Sequence, residues 1–267
     1  MHWQGHLGIL RSLVIYWRPG RQPGLRQLYR PFLPFGALVF DVGAHLGDRT
    51  RAFSDLGARV VALEPQPELF RWLHRLVGSR EGVTLRQEAV GRQPGEARLA
   101  ISRRTPTVST LSRDWQERLH SRNVSFRGVS WEESVSVPVT TLDRLIAEFG
   151  LPDFCKIDVE GFEAEVLAGL SQPVPGLSFE FVAGTLEVAL DSVARLEALG
   201  RYEFNAIAGE GRHFLFERWQ NGEEIRDWVE AGAGGLRSGD VYARLTDTGE
   251  GDIPERDSAG ARSARSA

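Results

Sequence analysis

The chain has 267 residues, enough to fill the core of one large domain or two small ones. With 42% hydrophobic residues, 25% charged residues and a net charge of −4, it has the composition of an ordinary globular protein, and that balance argues against a general nucleic-acid binder. Its one cysteine, Cys155, excludes an internal disulfide and fits a reducing, cytoplasmic compartment, and there is no run of about 18 apolar residues to span a membrane.

In chain order, residues 1–36 come first, with five arginines and no acid. Leu7, Leu10, Val14 and Trp17 recur at helical spacing until RPGRQPG breaks the pattern. An arginine interrupts the apolar stretch and no small-residue cleavage site follows, so a helix is expected rather than a signal peptide. The preferred reading is a helical arm packed on the main domain. The alternative is a lid, or a basic patch for an anionic acceptor or a membrane surface.

From residue 37, short apolar runs alternate with amphipathic helices. ALVFDVG, ARVVALEP and GVTLRQEAV read as strands. DRTRAFSDLG and PELFRWLHRLVG read as helices, the first capped by Asp48 and stopped by Gly57. Residues 95–140 depart from this rhythm and read as an insertion at the acceptor side: a strand GEARLAISR, a short helix SRDWQERLHSR and a strand ESVSVPVTTLD, with Asp143 as the next helix cap. The rhythm resumes with the strand LPDFCKIDVEG, the helix EAEVLAGL, the strand GLSFEFVAG and the helix LEVALDSVARLEALG. RYEFNAIA, HFLFERW and DVYARL are predicted to finish the sheet, partly antiparallel. Residues 246–267 are predicted to be a disordered tail. The pattern predicts a mostly parallel sheet with helices on both faces.

Two stretches carry chemistry. In VFDVGAHLGDRT a strand ends at Asp41, glycines 43 and 47 allow a tight turn and close approach to a ligand, and a helix begins. The spacing is neither that of a dinucleotide fingerprint nor that of a phosphate-cradling loop. Glu64 closes the second strand at about the 20-residue offset from which an acid grips ribose hydroxyls, and Glu88 at the third strand's tip is a further candidate. The other stretch, FCKIDVEG, holds the only lysine of the chain. Alternation puts Cys155, Ile157 and Val159 on one face, with Lys156, Asp158 and, if the strand persists, Glu160 on the other. The alternatives are a structural ion pair and a reactive cluster opening into a cleft, to which Glu180 of SFEF adds another acid. His45 is a candidate to touch ligand, or more simply to cap the following helix. The six histidines show no zinc-site spacing.

VFDVGAHLG, ALEPQPELF, EAVG, TLDRLI, KIDVEGFEAEVLAGL and SFEF stand in an order that resembles FkbM-type methyltransferases over roughly residues 36–245. The resemblance implies a Rossmann-like class I fold with a seven-stranded sheet, S-adenosyl-L-methionine as cofactor, and methyl transfer to a hydroxyl of a sugar, polyketide or other small molecule. It implies that Asp41, Gly43 and Gly47 cradle the methionine end, that Glu64 holds the ribose, and that Glu88 and Ala89 border the adenine. KIDVEG would line the reaction side, with Asp158 as base or orienting group, Glu160 second, and Lys156 tuning Asp158. Three alternatives stay open: a nicotinamide-dependent oxidoreductase, a non-catalytic cofactor-binding or scaffold module, and a transferase assisted by Mg²⁺ on Asp158, Glu160 and Glu180.

Overall fold

Apolar runs rich in valine, leucine and phenylalanine supply the strands of the molecule, and their alternating side chains fill two separate cores. The computed structural model describes residues 3–102, 105, 109–112, 115 and 129–246, with backbone alone for residues 3–7. Ten strands run in chain order as β1 (Leu38–Val42), β2 (Arg59–Leu63), β3 (Val83–Arg86), β4 (Ala89–Val90), β5 (Gly95–Ile101), β6 (Glu133–Thr140), β7 (Phe154–Ile157), β8 (Gly176–Val182), β9 (Tyr202–Ala208) and β10 (Ser238–Leu245). Seven of them form one sheet in the order β3-β2-β1-β7-β8-β10-β9, parallel except for β10. This is the Rossmann-like class I methyltransferase architecture expected from the sequence.

Alternation along each strand decides which core a side chain joins. Phe40, Cys155, Ile157 and Phe179 face a core closed by the helices Leu142–Phe149, Glu163–Ala168, Leu186–Leu199 and Gly222–Glu230. Val39, Phe154 and Tyr242 face the opposite core, closed by the helices Arg21–Tyr29, Asp48–Asp55 and Pro67–Val77. Each fully buried Phe or Leu is worth about 1.5–3 kcal/mol relative to exposure, so both faces of the sheet are firmly covered. The described part of the arm, from Gly8 to Gly36, belongs to this packing. Ile9, in the helix Trp3–Tyr16, is buried with Leu46 and Leu69, and the Trp17 indole N–H donates to the Leu46 carbonyl at 3.1 Å. No helix among the described residues is long and apolar enough to cross a membrane.

Several local expectations are corrected. Within RPGRQPG only Arg18–Gly20 interrupts the helix, because Gly20 takes φ 85 and the chain turns helical again at Arg21. GVTLRQEAV is two strands: after β3 the chain leaves the main sheet, and β4 joins β6 and β5 in a separate three-stranded sheet. HFLFERW is not a strand. It lies along β9 through single contacts, Leu215 N–H to Ala206 O at 2.8 Å and paired bonds between Gln220 and Phe204 at 2.7 Å. Asp48 does not cap its helix, since Gly47 takes the capping position and Asp48 pairs with Arg21 at 2.7 Å. Asp143 yields its capping role to Thr141, which accepts from Arg144 N–H, while Asp143 accepts from Ser171 N–H at 2.8 Å. Apart from Trp115, the helix expected over SRDWQERLHSR lies outside the described residues, as does the tail beyond residue 246.

Candidate active site

In a parallel sheet wound outward in two directions, ligands settle at the carboxyl edge where the strand order reverses. Here the chain runs β1, β2, β3 one way, then crosses to β7 and β8 on the other side of β1. The reversal lies between β1 and β7, and a cavity of about 1020 Å³, open mouth included, sits at that edge.

Asp41 and Lys156 are register partners on adjacent strands. Asp41 is buried and accepts a 2.5 Å hydrogen bond from the Thr50 hydroxyl, which fixes one carboxylate oxygen. Burial raises its pKa to about 6 against the pull of Thr50 and Lys156. The turn after β1 is held by Gly43 and Ala44 N–H, which both donate to Leu63 O at 3.0 and 2.9 Å. Gly43 has φ 79, and a Cβ there would run into the carbonyl oxygen of Asp158. Its glycine therefore serves the close approach of this turn to the segment after β7. Gly47 lies elsewhere: it packs against Leu73 and Val77 and is not part of the cavity wall.

Glu64 lines the cavity with both carboxylate oxygens positioned by the backbone, one accepting from His45 N–H at 3.0 Å and the other from Gln66 N–H at 2.9 Å. Burial lifts its pKa to about 7, against those two bonds. Glu88 and Ala89 also line this end, beside Leu63, Leu69 and Val90, and Glu88 pairs with Arg86. His45 caps nothing. Its ring meets Tyr16 edge-on at 5.3 Å, and burial lowers its pKa to about 4.

At the other end stands the lone lysine. Lys156 is fully buried, with Nζ 3.0 Å from Asp158 Oδ2 and 3.5 Å from Asp240 Oδ1. Burial works against its charge, but Asp158 and Asp240 outweigh it and its pKa is raised. For Asp158 burial likewise opposes ionisation, and Lys156 and Arg49 hold it below the usual carboxylate range. The strand does not persist to Glu160. β7 ends at Ile157, and Glu160 sits in a turn with φ 54. Two contacts hold that turn. Thr110 donates its hydroxyl to Glu160 O at 2.6 Å, and Gly161, with φ 84, leaves room for the Trp115 ring where a Cβ would collide. One face of the insertion, with Leu99, Thr110 and Leu111, thus becomes cavity wall.

Asp158, Glu160 and Glu180 bring carboxylate oxygens within 4.8 Å of one another. Burial, and then their mutual repulsion, push Glu160 and Glu180 well above the ordinary carboxylate range. This donor set is all oxygen, as Mg²⁺ prefers. Cys155 faces the apolar core, where burial raises its thiol pKa and leaves it inert.

The structure adds residues the motif reading missed. Arg49 lines the cavity, 3.3 Å from Glu210 and 4.0 Å from Asp240. Glu210, itself in the wall, is held to about 2 because Arg49 and Arg21 outweigh its burial. Tyr16 reaches the wall from the arm. One signal was available for Asp240: an acid inside the apolar strand DVYARL, which registers opposite Glu180.

A model of the FkbM methyltransferase domain matches residues 41–232, and the chain belongs to that family. Among solved structures, it is similar to a precorrin-6y C5,15-methyltransferase from Geobacter metallireducens GS-15, with 14% identity over 85% of this chain and 86% of that one and a TM-score of 0.44. It is also similar to a TehB-like SAM-dependent methyltransferase from Corynebacterium glutamicum ATCC 13032 Kitasato, with 13% identity over 89% and 94% of the two chains and a TM-score of 0.45. A search of curated proteins finds no match. The class therefore rests on the family match, and the nicotinamide oxidoreductase reading is set aside.

Proposed function

We propose that this protein transfers the methyl group of S-adenosyl-L-methionine to a hydroxyl oxygen of a small-molecule acceptor, a saccharide or polyketide-like alcohol among the candidates. The observation that carries the reading is a single cavity with two differently built ends. One end offers Glu64, whose fixed carboxylate keeps lone pairs for a ribose diol, beside apolar walls of Leu63, Leu69, Ala89 and Val90 that suit an adenine. The other offers Asp158 ionised by a buried lysine, next to carboxyls with raised pKa. When bound, the cofactor supplies a methyl group already activated by its sulfonium.

The chain's own residues then have to orient the acceptor oxygen and take its proton. Asp158, charged across the neutral range, accepts a hydrogen bond from the acceptor hydroxyl and fixes its direction. Its low pKa makes it a poor proton sink, so the raised carboxyl of Glu160 is the better base once ionised. Lys156 keeps Asp158 charged. In this reading residues 37–245 are the catalytic domain, 95–140 shape the acceptor end, and 1–36 form an arm over the site.

Calorimetric titration with S-adenosylmethionine, S-adenosylhomocysteine and NAD tests the cofactor: the first two should saturate and NAD should not. Asp158→Asn should then lower turnover by about 10-fold or more, the scale of one hydrogen bond to a charged group, with folding intact. Near-wild-type turnover removes Asp158 from the mechanism. The carboxylate set at 4.8 Å favours one second reading, metal-assisted transfer. The expected result is that EDTA leaves turnover unchanged. Loss restored by Mg²⁺ would make Glu160 and Glu180 ligands instead.

A further inference from the structure

The cofactor of the proposed reaction carries a carboxylate, and the cavity is a hostile place for one. Eight of the described residues lining it are acids, and only Arg49 and Lys156 are cations. The turn after β1 offers it little. Gly43 and Ala44 N–H are spent on Leu63 O, Gly47 N–H on Ala44 O, and His45 N–H on Glu64. Lys156 is spent as well, fully buried between Asp158 and Asp240.

What remains is one corner of the wall. Arg49 approaches its acids at 3.3, 3.8 and 4.0 Å, loosely, because Arg21 takes the tighter contacts, 2.7 Å to Asp48 and 2.8 Å to Glu210. Beside it in the same wall stands Tyr16. Its ring is pinned between His45 at 5.3 Å and the Arg21 guanidinium at 5.0 Å. Burial, and then Glu210 and Asp158, raise the phenol's pKa, so it remains a proton donor.

We infer that Tyr16 and Arg49 together hold the methionine carboxylate of the cofactor, so that the arm outside the matched residues 41–232 completes the cofactor site. The planar guanidinium suits a carboxylate, and the phenol supplies a second donor. The inference rests on the methyltransferase reading above.

The test compares S-adenosylhomocysteine with 5′-methylthioadenosine, which lacks the amino-acid moiety, by calorimetry on the full chain. Wild type, Tyr16→Phe and Arg49→Gln are titrated, and each protein's thermal melt is recorded. Arg49→Gln and Tyr16→Phe should each weaken S-adenosylhomocysteine by about 10-fold or more, the range for hydrogen bonds to a charged group. Methylthioadenosine should bind all three proteins alike. Equal weakening of both ligands, or of neither, overturns the inference. If Arg49→Gln does not fold, Tyr16→Phe decides alone, since it removes only the hydroxyl. Failure of wild type to bind S-adenosylhomocysteine would instead sink the methyltransferase reading.

Discussion

Replacing Lys156 with methionine keeps most of the length of the side chain and removes its charge. Asp158 then faces the cavity without its partner at 3.0 Å, and Asp240 loses its contact at 3.5 Å. At an effective dielectric of about 20, a pair at that distance is worth on the order of 5 kcal/mol in Coulomb terms. Arg49 also stabilises Asp158, and the Asp158 side chain keeps 28% exposure, so the net cost will be smaller, about 2–4 kcal/mol. The sign with pH follows from Asp158. In the native protein its folded pKa lies below the unfolded value, so its contribution is present above that unfolded value and lost as pH falls through the folded one. In the variant burial dominates and the folded pKa rises, so the deficit should be widest at neutral pH and shrink toward pH 4. Urea denaturation from pH 4 to 8 measures this, and adding Asp158→Asn should recover part of the loss. A deficit below about 1 kcal/mol that does not vary with pH would refute the argument.

Two further outcomes are expected. Glu64, raised to about 7, should bind the ribose diol as a carboxylate, so S-adenosylhomocysteine affinity should fall as pH drops from 8 to 6. Glu64→Gln should bind weakly at every pH, and an unchanged pH dependence in that variant would assign the titration elsewhere. Gly43→Ala forces a Cβ into the Asp158 carbonyl at a positive φ, so it should cost about 2 kcal/mol or more and displace the turn carrying Asp158 and Glu160. A melting temperature within a degree of wild type would show that the two segments are not tightly coupled.

The alternation of apolar strands and amphipathic helices made the sheet readable, because that periodicity is local. Where the reading failed, a distant contact overrode local chemistry. GVTLRQEAV is apolar enough for one long strand, yet Ala89 and Val90 leave β3 because β6, some 50 positions later, offers another edge. Asp48 has the chemistry of a cap, but Arg21 lies close enough to take its carboxylate. HFLFERW has a strand's composition, and its phenylalanines serve instead as side-chain packing: Phe214 against Phe32 and Tyr242, Phe216 against Trp228.

The site shows the same division, and the lone lysine is its clearest case. That Lys156 and Asp158 share a side, and that such a charge inside a buried strand needs a partner, follows from β-strand periodicity alone. That Lys156 has a second partner does not, because Asp240 arrives from the antiparallel strand of the seven-stranded sheet, inserted between β8 and β9 late in the chain. The pair of partners also explains the choice of residue. An ammonium has three donors, and two carboxylates can satisfy most of that demand. A guanidinium has five donors in a fixed plane, and at this fully buried position it would bring in more unmet N–H groups than the neighbourhood can accept. Arginine serves this chain wherever a surface or a second acid can take up its fork, as at Arg21 with Asp48 and Glu210. At the end of β7 the geometry asks for a point charge.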